Sequence, residues 1–351
     1  MLRLMDDTRS AMKLYAQPHA LAASESVGGS VHRPSTKGLE VREVNDSEEW
    51  DNLVRASTAG TLFQTSLWQD CSPHTFMRSG VYSRNRLIAG VVLQVDDSGF
   101  GRMGTLAPYL GPVAEAVDKG EEHRRAASLL AISLKEKVRD AKFCVSPWLD
   151  TLQPFLLAGF SAQLFYTTVV QIESAEAAWS RFTPALRRNI RRAESDGLSV
   201  EITSDPSTLL SLVRETFSRQ GQAVWFDINE AYNCMERLGQ RGHAACFVIY
   251  NSRSEPIAAA GIVWDWRRSY YILGGYDEAR SHRGASSLAL WHALIYTCEK
   301  LRLPELDLEG SDIPAIECFF RQFGGRPMSF YYVTGTPDPL FADSGAYANA
   351  G

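Results

Sequence analysis

Residues 269–333 read SYYILGGYDEARSHRGASSLALWHALIYTCEKLRLPELDLEGSDIPAIECFFRQFGGRPMSFYYV, and this stretch decides the fold. An alternating run at residues 270–273 predicts a strand that ends in Gly274-Gly275. A Gly-led, Ser-rich turn at residues 283–287 then opens a long apolar helix pattern, and residues 306–308 predict a second short strand. Strands that alternate with helices in this way indicate a mixed α/β domain.

The composition is that of an ordinary soluble protein. A chain of 351 residues exceeds what one hydrophobic core usually spans, so we expect about two domains. The net charge of -5 provides no global attraction for nucleic acid, so any polyanion must contact a local basic patch. The six cysteines lack CxxC spacing, which favours a reducing compartment over a disulfide framework. The seven histidines show no HxxxH or HExxH pairing, which predicts no bound metal.

The two ends of the chain have the composition of tails. Ser, Gly and Pro cluster within residues 1–37, and residues 336–351 have a similar composition, so both are predicted to be disordered. No secretory signal pattern is present near the start, and the longest apolar run, residues 257–264, is too short for a bilayer. We therefore expect a cytoplasmic protein without integral membrane contact.

The chain repeats its order of elements between the tails. Residues 38–168 and 169–335 each contain a polar turn, a strand, a long helix, a short strand and an aromatic closing strand. Two α/β domains are therefore predicted, although the identity between the halves is too low to prove a duplication.

A basic helix is predicted to open the second domain. Thr183 can cap it, Pro184 suits its first position and Gly197 suits its exit. With Arg181, the segment carries five positive and two negative charges, or +3. Two interpretations stay open: a solvated helix face with internal ion pairs, or a phosphate-binding surface formed by Arg187, Arg188 and Arg191.

Three motifs in this order resemble one protein family. They are FQTSLW at residues 63–68, LRRNIRRAESDG at residues 186–197, and the Gly-rich region 274–325. Together they resemble the Fem-type aminoacyltransferases and their cellulose-biosynthesis-type acetyltransferase relatives, a branch of the GNAT superfamily. The resemblance implies an α/β (α+β, GNAT-like) fold with two tandem GNAT domains, each a mixed central sheet flanked by helices. The acyl-transfer site is then expected near splayed strands of the second domain.

The resemblance also implies where an acyl donor binds. The donor-binding candidates are Gly275, Arg280, Arg283, Gly284, Ser286 and Ser287. Acyl-CoA enzymes of the superfamily place an R/QxxGxG/A turn at a helix N-terminus, where free amides hold the pyrophosphate. This chain has Ser281-x-x-Gly284-x-Ser286 instead, which suits an aminoacyl-tRNA donor better than coenzyme A. A plain Gly-led helix start with Ser caps is the alternative interpretation.

Acid–base candidates are few. Asp307 and Glu309 alternate with leucines along the short strand, so both are expected on one face, where either could accept the proton of an attacking amine. The alternative is that Asp307 only orients the following loop. Many relatives carry a Lys shortly before the closing FG turn. Here Phe320 takes that position, and Arg321 next to it is the candidate for the missing charge.

An amine-bearing acceptor is expected to contact Arg187, Arg188, Arg191, Trp68, Trp225 and Tyr276. The aromatic members are candidates for a cleft between the domains, although single aromatic residues more often belong to a core. The predicted activity is N-acyl transfer (EC 2.3 class) without a covalent enzyme intermediate. An aminoacyl group from aminoacyl-tRNA, or an acyl group from acyl-CoA, would pass to a primary amine of a cell-envelope, polysaccharide or specialised-metabolite precursor. No covalently bound cofactor is expected.

Two alternatives remain at this point. One is an acyl-CoA-dependent N-acetyltransferase of exopolysaccharide or cellulose biosynthesis, which the altered pyrophosphate turn argues against. The other is a catalytically inactive protein that binds a nucleotide-sugar, which Phe320 at the usual Lys position favours.

Overall fold

The computed structural model describes residues 37–335 except residues 103, 116–119, 220 and 281. The predicted tails, apart from Lys37, lie outside the described residues. Within the described part the chain divides into two compact units. Residues 166–328 form the C-terminal unit, and residues 37–165 with residues 329–335 form the N-terminal unit. The first division lies three residues from the boundary expected between residues 168 and 169, and the last strand contributes to both units.

The N-terminal unit contains an antiparallel sheet in which β1, β2 and β3 are neighbours. Its elements are β1 (Leu39–Glu43), α1 (Ser47–Ala56), α2 (Ser66–Cys71), β2 (Thr75–Ser83), β3 (Arg86–Val95), β4 (Gly101–Arg102), β5 (Gly111–Ala114), α3 (Glu121–Lys137), β6 (Lys142–Val145), α4 (Gln153–Leu157), the first part of β7 (Ser161–Gln171) and the last part of β13 (Arg326–Thr334). Strand β3 also pairs with β4 and β5, and β6 pairs with β13. Arg84 and Asn85 both have positive φ, as a two-residue hairpin turn between β2 and β3 requires.

The C-terminal unit is built on a sheet with the order β7-β12-β11-β10-β9-β8. Its further elements are α5 (Ala175–Arg181), α6 (Pro184–Ser195), β8 (Ser199–Thr203), α7 (Ser207–Arg219), α8 (Ile228–Gln240), β9 (Ala244–Tyr250), β10 (Pro256–Trp264), β11 (Ser269–Tyr276), α9 (Ala285–Ile295), β12 (Glu305–Gly310) and α10 (Pro314–Phe320). Neighbouring strands in this order run antiparallel, except that β11 and β12 are parallel. A parallel pair needs a crossover, which α9 supplies.

The predicted basic helix is confirmed as α6. Thr183 caps it, because the Leu186 N–H donates to Thr183 Oγ1 at 3.3 Å. Leu186, Ile190 and Ala193 are fully buried and form the predicted apolar stripe. The opposite side of α6 therefore presents its arginines away from the core.

Aromatic packing holds α9 and the closing turn in the core of the C-terminal unit. The Phe182 ring lies edge-on to Trp291 of α9 at 5.2 Å and to Phe323 at 5.1 Å. Helix α9 is apolar nearly all round and buried along most of its length, as expected of a core helix. This packing holds the second half of α9 against the residues that precede α6.

Strands β11 and β12 separate after a short paired stretch. They form ladder pairs at Ser269–Leu306 and Tyr270–Asp307, and the ladder of the described strands goes no further. A register shift interrupts the β10–β11 pairing, and a second one interrupts β7–β12 between Asp307 and Gly310. We call the region where β11 and β12 diverge the splay. Residues 271–276 of β11 border the splay, and along these residues the strand edge is not paired to β12.

None of the helices within the described part of residues 37–335 combines the length and apolarity needed to cross a bilayer.

Candidate functional site

Asp307 lies at the closed end of the splay and is completely buried. Its carboxylate accepts a hydrogen bond from the Thr167 hydroxyl of β7. Its Oδ1 atom also accepts the backbone N–H of Glu309 at 2.9 Å. Asp307 therefore joins β7 to β12 and fixes the backbone of the residue two positions further on.

Glu309 has a strained backbone and a carboxyl group in an unfavourable environment. Its φ of 57° lies in the left-handed region, which is rare for a residue with a side chain. Among the described residues, none forms a hydrogen bond with its buried Oε1 atom. Burial, and then the neighbouring Asp307 carboxylate, raise the pKa of Glu309 well above its usual range. A carboxyl group of this kind suits a general base that works near neutral pH.

A β-bulge brings these two carboxyl groups together. Three steps along β12, from Asp307 to Gly310, match only two steps along β7, from Val169 to Thr167. One extra residue on β12 therefore interrupts the regular alternation on which the sequence prediction relied. The Asp307 charge acts on Glu309, but the left-handed backbone at Glu309, rather than regular strand alternation, sets their arrangement.

Tyr271 of β11 is a third member of the site, and sequence reasoning missed it. It is the first residue beyond the last β11–β12 pair. Its hydroxyl lies against Gly274, where a Cβ atom would be only 1.6 Å from the hydroxyl oxygen. Burial and the Glu309 carboxylate both raise the pKa of Tyr271, so its hydroxyl stays protonated. The sequence signal available was the Gly274-Gly275 pair following an alternating strand.

Phe320 closes the site on the side of α10. Its ring meets Tyr271 edge-on at 5.8 Å, and the side chain is buried. The position that holds Lys in many Fem-type proteins is therefore apolar here. Arg321 does not replace that charge beside Tyr271: its side chain is mostly exposed, and its Nε lies 3.5 Å from Glu317 Oε1.

A buried polar network anchors the paired end of β11 and β12. The Tyr270 hydroxyl donates to Asp265 Oδ2 at 2.6 Å, and Arg268 Nε lies 3.0 Å from Glu305 Oε2. Burial, and then the charge of Asp265, raise the pKa of Tyr270. Since a buried network is costly to break, it holds both strands where the splay begins.

The predicted donor loop packs directly on α6. Gly284 is the N-cap of α9, and a Cβ atom there would lie 2.2 Å from the carbonyl oxygen of Asn189. His282 Nε2 lies 3.0 Å from Asp196 Oδ2, and the Gly284 N–H donates to His282 Nδ1 at 3.1 Å. The hydrogen-bond pattern therefore places the ring proton on Nε2. His282 and Arg192 lower the pKa of Asp196.

The other donor-loop candidates differ in their freedom to contact a ligand. Arg280 forms an ion pair with Asp277, and its NH1 atom lies 3.9 Å from Glu255 Oε1. Arg283 and Ser286 are exposed, whereas Ser287 is buried. Ser281 lies outside the described residues.

Gly275 has a packing role in the structure. A Cβ atom there would lie 2.5 Å from the backbone of α7 at Leu212 and Val213. Close approach of α7 to β11 is enough to explain why this position is a glycine.

The arginines of α6 are not equivalent. Arg187 is half-buried, and its guanidinium donates to the Ser180 carbonyl at 2.9 Å, at the end of α5. Arg188 is exposed. Arg191 is also exposed, and its guanidinium lies 5.5 Å from the centre of the Trp179 ring. Arg188 and Arg191 are therefore the better placed of the three to bind a phosphate.

The aromatic acceptor candidates lie in different surroundings. In the N-terminal unit, Trp68 is 1% exposed and packs edge-on against Phe63 at 4.8 Å, so its ring belongs to the core there. In the C-terminal unit, Trp225 is 63% exposed, which leaves its ring accessible. Tyr276 is half-buried at the end of β11, with the Arg219 guanidinium 4.4 Å from its ring centre.

An open pocket of about 300 Å³ lies beside the end of β11. It is lined by Glu215, Arg219, Tyr276, Asp277, Glu278 and Ala279. Arg219 Nε lies 3.1 Å from Glu278 Oε2, and Asp277 is paired with Arg280, so the three carboxylates of the lining exceed these two arginines by one charge.

Comparisons with known proteins bear on the fold of the chain and on the family of its C-terminal unit. A family model described as an acetyltransferase (GNAT) domain matches residues 180–314. No curated protein shows a significant match to the chain. Among solved structures, FemX is 16% identical, with a TM-score of 0.64 over 83% of this chain and 96% of its own. A tandem GNAT protein from the clavulanic acid biosynthesis pathway is 11% identical, with a TM-score of 0.52 over 86% and 99%. The C-terminal domain of a putative lysylphosphatidylglycerol synthetase from Agrobacterium fabrum is 14% identical, with a TM-score of 0.53 over 86% and 93%.

The family match identifies residues 180–314 as a GNAT acetyltransferase domain, which supports an acyltransferase. The predicted fold of two tandem GNAT domains is confirmed, and the chain shares its fold with FemX over most of both chains. At these identities the likeness to the solved structures concerns the fold.

Proposed function

We propose that this protein transfers an aminoacyl group from aminoacyl-tRNA to a primary amine of a cell-envelope, polysaccharide or specialised-metabolite precursor. The observation that carries the proposal is the splay with Asp307 and Glu309 at its closed end. The edge of β11 that β12 leaves unpaired offers backbone groups of residues 271–275 to an extended acyl chain, whereas those of Tyr276 are bonded to the Thr216 hydroxyl. Glu309, with its raised pKa, lies where it can take the proton of an amine that attacks the acyl carbonyl.

The surroundings of the donor loop support an aminoacyl-tRNA over coenzyme A. In the pyrophosphate loop of acyl-CoA enzymes, free amides at a helix N-terminus bind phosphate. Here His282 Nδ1 accepts the Gly284 N–H, and the His282 carbonyl accepts the Ala285 N–H at 2.9 Å. The exposed Arg188 and Arg191 instead provide a basic helix face of the kind that binds a nucleic-acid backbone.

The pocket beside Tyr276 supports an amine as the acceptor. Glu215 and Asp277 line it together with the Arg219–Glu278 pair. An excess of carboxylates favours a cationic ammonium group and disfavours an anionic one. Trp225, between α7 and α8, is exposed and is a further candidate for contact with the acceptor, although it does not line this pocket.

Binding of charged tRNA and of acyl-CoA to the purified protein tests the donor. The measurement is made at about 150 mM salt, where long-range charge effects are screened. We expect saturable binding of aminoacyl-tRNA that is weakened in Arg188→Ala/Arg191→Ala. Binding should be unchanged in Arg237→Ala, a control that removes an exposed positive charge from α8 instead. Saturable acyl-CoA binding that is lost in Arg283→Ala would reject the tRNA donor and establish an acyl-CoA enzyme instead.

Transfer itself is tested by formation of an amide between the labelled amino acid and an amine acceptor. Glu309→Gln is expected to lower kcat by roughly 10²-fold or more, because it removes the base. If the wild-type protein binds its ligand but forms no amide, the protein is an inactive binding protein rather than a transferase. If Glu309→Gln retains full transfer activity, Glu309 is not the base.

A further inference from the structure

Three turns lie together at the end of the C-terminal sheet that faces away from the splay. They are residues 241–243 before β9, residues 265–268 between β10 and β11, and residues 302–304 before β12, and we call them the basal turns. Strands β9 to β12 are neighbours in the sheet, and β10 alone runs opposite to the other three. The end of β10 and the starts of the other strands therefore meet at one end. Neighbouring strands are about 4.8 Å apart, so the basal turns form a row roughly 14 Å long.

Short polar contacts tie the basal turns to one another. The Trp264 N–H donates to the His243 carbonyl at 3.2 Å, and His243 Nδ1 lies 2.9 Å from the Trp264 carbonyl oxygen. These contacts join the first turn to the second. Arg268 Nε lies 3.0 Å from Glu305 Oε2, which joins the second turn to the strand that follows the third. The row is therefore a fixed part of the sheet.

The middle turn presents a tryptophan at its tip. The Asp265 N–H donates to the Arg268 carbonyl at 3.0 Å, and the Arg267 N–H donates to Asp265 Oδ1 at 2.7 Å, so the hairpin is tightly closed. Trp266 is 37% exposed, and the Arg267 guanidinium lies 5.7 Å from the centre of its ring. A large ring that stays accessible on a rigid turn is typical of a contact surface.

The charges at this end are sorted by sign. The two acidic side chains of the turns, Asp265 and Glu305, are largely covered by the buried network around Arg268. Each basal turn contributes one arginine to the surface: Arg241, Arg267 and Arg302. Glu299 and Lys300, both exposed before the third turn, cancel each other. A chain of net charge -5 thus carries a local positive row around an accessible tryptophan.

We propose that the basal turns dock the protein on an anionic lipid membrane, with the Trp266 ring in the headgroup layer and the three arginines against lipid phosphates. Tryptophan concentrates at the membrane–water interface, because its ring is apolar and its N–H is polar. Arginines close to an anionic leaflet add electrostatic attraction. One ring and three cations make a weak, reversible anchor. The inference goes beyond the proposed function and does not depend on it, and docking at this end leaves the splay open.

An RNA strand is the competing anionic partner for this surface. Its bases would stack on a free aromatic face, whereas the Arg267 guanidinium already lies over one face of Trp266. The arginines also belong to three separate turns along one end of a sheet, which suits phosphates spread over a surface. A lipid headgroup layer therefore fits the basal turns better than RNA does.

Sedimentation of the full chain with lipid vesicles tests the proposal. Vesicles of equal parts phosphatidylcholine and phosphatidylglycerol should bind the wild-type protein, vesicles of phosphatidylcholine alone should not, and added salt should release it. Trp266→Ala should weaken binding roughly tenfold, because burial of the ring is lost. Arg302→Ala should weaken it roughly fivefold, because one cation is lost.

Matched controls remove the same groups elsewhere in the C-terminal unit. Trp225→Ala removes a ring that is 63% exposed between α7 and α8, and Arg253→Ala removes an exposed arginine between β9 and β10. Each should change vesicle binding by less than about twofold, since attraction to the surface falls off within a Debye length.

Wild-type protein that stays off anionic vesicles at low salt would overturn the proposal, as would equal losses in the variants and their controls. Loss of vesicle binding in Arg188→Ala/Arg191→Ala, with Trp266→Ala unaffected, would assign lipid binding to α6 instead. If Trp266→Ala and Arg302→Ala weaken binding of deacylated tRNA but not of vesicles, the basal turns bind RNA and the lipid proposal is wrong.

Discussion

Gly284→Ala tests whether the donor loop packs directly on the basic helix α6. Gly284 has a φ of -97°, which alanine adopts without strain, so only the added Cβ atom matters. That atom would lie 2.2 Å from the Asn189 carbonyl oxygen and 2.9 Å from Ala193 Cβ. Since such contacts normally exceed about 3.4 Å, the loop and α6 must separate by about 1 Å.

The magnitude follows from two opposing effects. Overpacking of this kind costs about 1–3 kcal/mol. Replacing glycine by alanine also restricts the unfolded chain, which offsets about 0.4–1 kcal/mol. We therefore expect a net loss of about 1–2 kcal/mol in the free energy of unfolding, or roughly 2–8 °C in Tm for a unit of this size.

Urea unfolding followed by tryptophan fluorescence measures this loss. Ser286→Ala is the matched control, since it changes an exposed residue in the same turn and should stay within about 0.5 kcal/mol of wild type. A Gly284→Ala protein as stable as wild type, or more stable, would show that the loop does not pack on α6 as described.

Three further outcomes are expected. Glu309→Gln should become more stable relative to wild type as pH rises above the ordinary glutamate pKa. In that range the unfolded wild-type chain loses the Glu309 proton while the folded protein still holds it, so wild-type stability falls until the raised folded-state pKa is passed. Thermal melts from pH 4 to pH 8 would show this, and a pH-independent difference would contradict it. Phe323→Ala should cost about 3–5 kcal/mol, because it removes a fully buried ring that contacts Phe182, and a loss under about 1 kcal/mol in urea unfolding would refute that packing. Arg188→Ala/Arg191→Ala should weaken tRNA binding and flatten its salt dependence, with a slope change of about 1–2 in log–log plots, whereas unchanged binding would make α6 a solvated face.

Local sequence patterns predicted the secondary elements of this chain. Thr183, Pro184 and the spacing of Leu186 and Ile190 predicted α6, and the helix runs from Pro184 to Ser195. The strand predicted at residues 306–308 is the middle of β12. Capping and hydrophobic periodicity act over a few neighbouring residues, so they can be recognised without knowledge of the fold.

The same patterns were enough to single out Asp307 and Glu309 as carboxyl groups on one short strand. They did not predict that Glu309 has a left-handed backbone, or that Tyr271 reaches over Gly274. Both features come from β-bulges, which exist only as a mismatch in residue number between paired strands.

Tertiary structure alone decided which groups meet. The Thr167 hydroxyl and Asp307 are 140 positions apart, and His282 and Asp196 are 86 apart, yet each pair is in hydrogen-bond contact. A side chain's partner, and with it the pKa of a carboxyl group, depends on which strands and helices pack together. The sequence by itself therefore determined the helices, the strands and the family resemblance, whereas the environment that can make Glu309 a base arises only when β7, β11 and β12 come together.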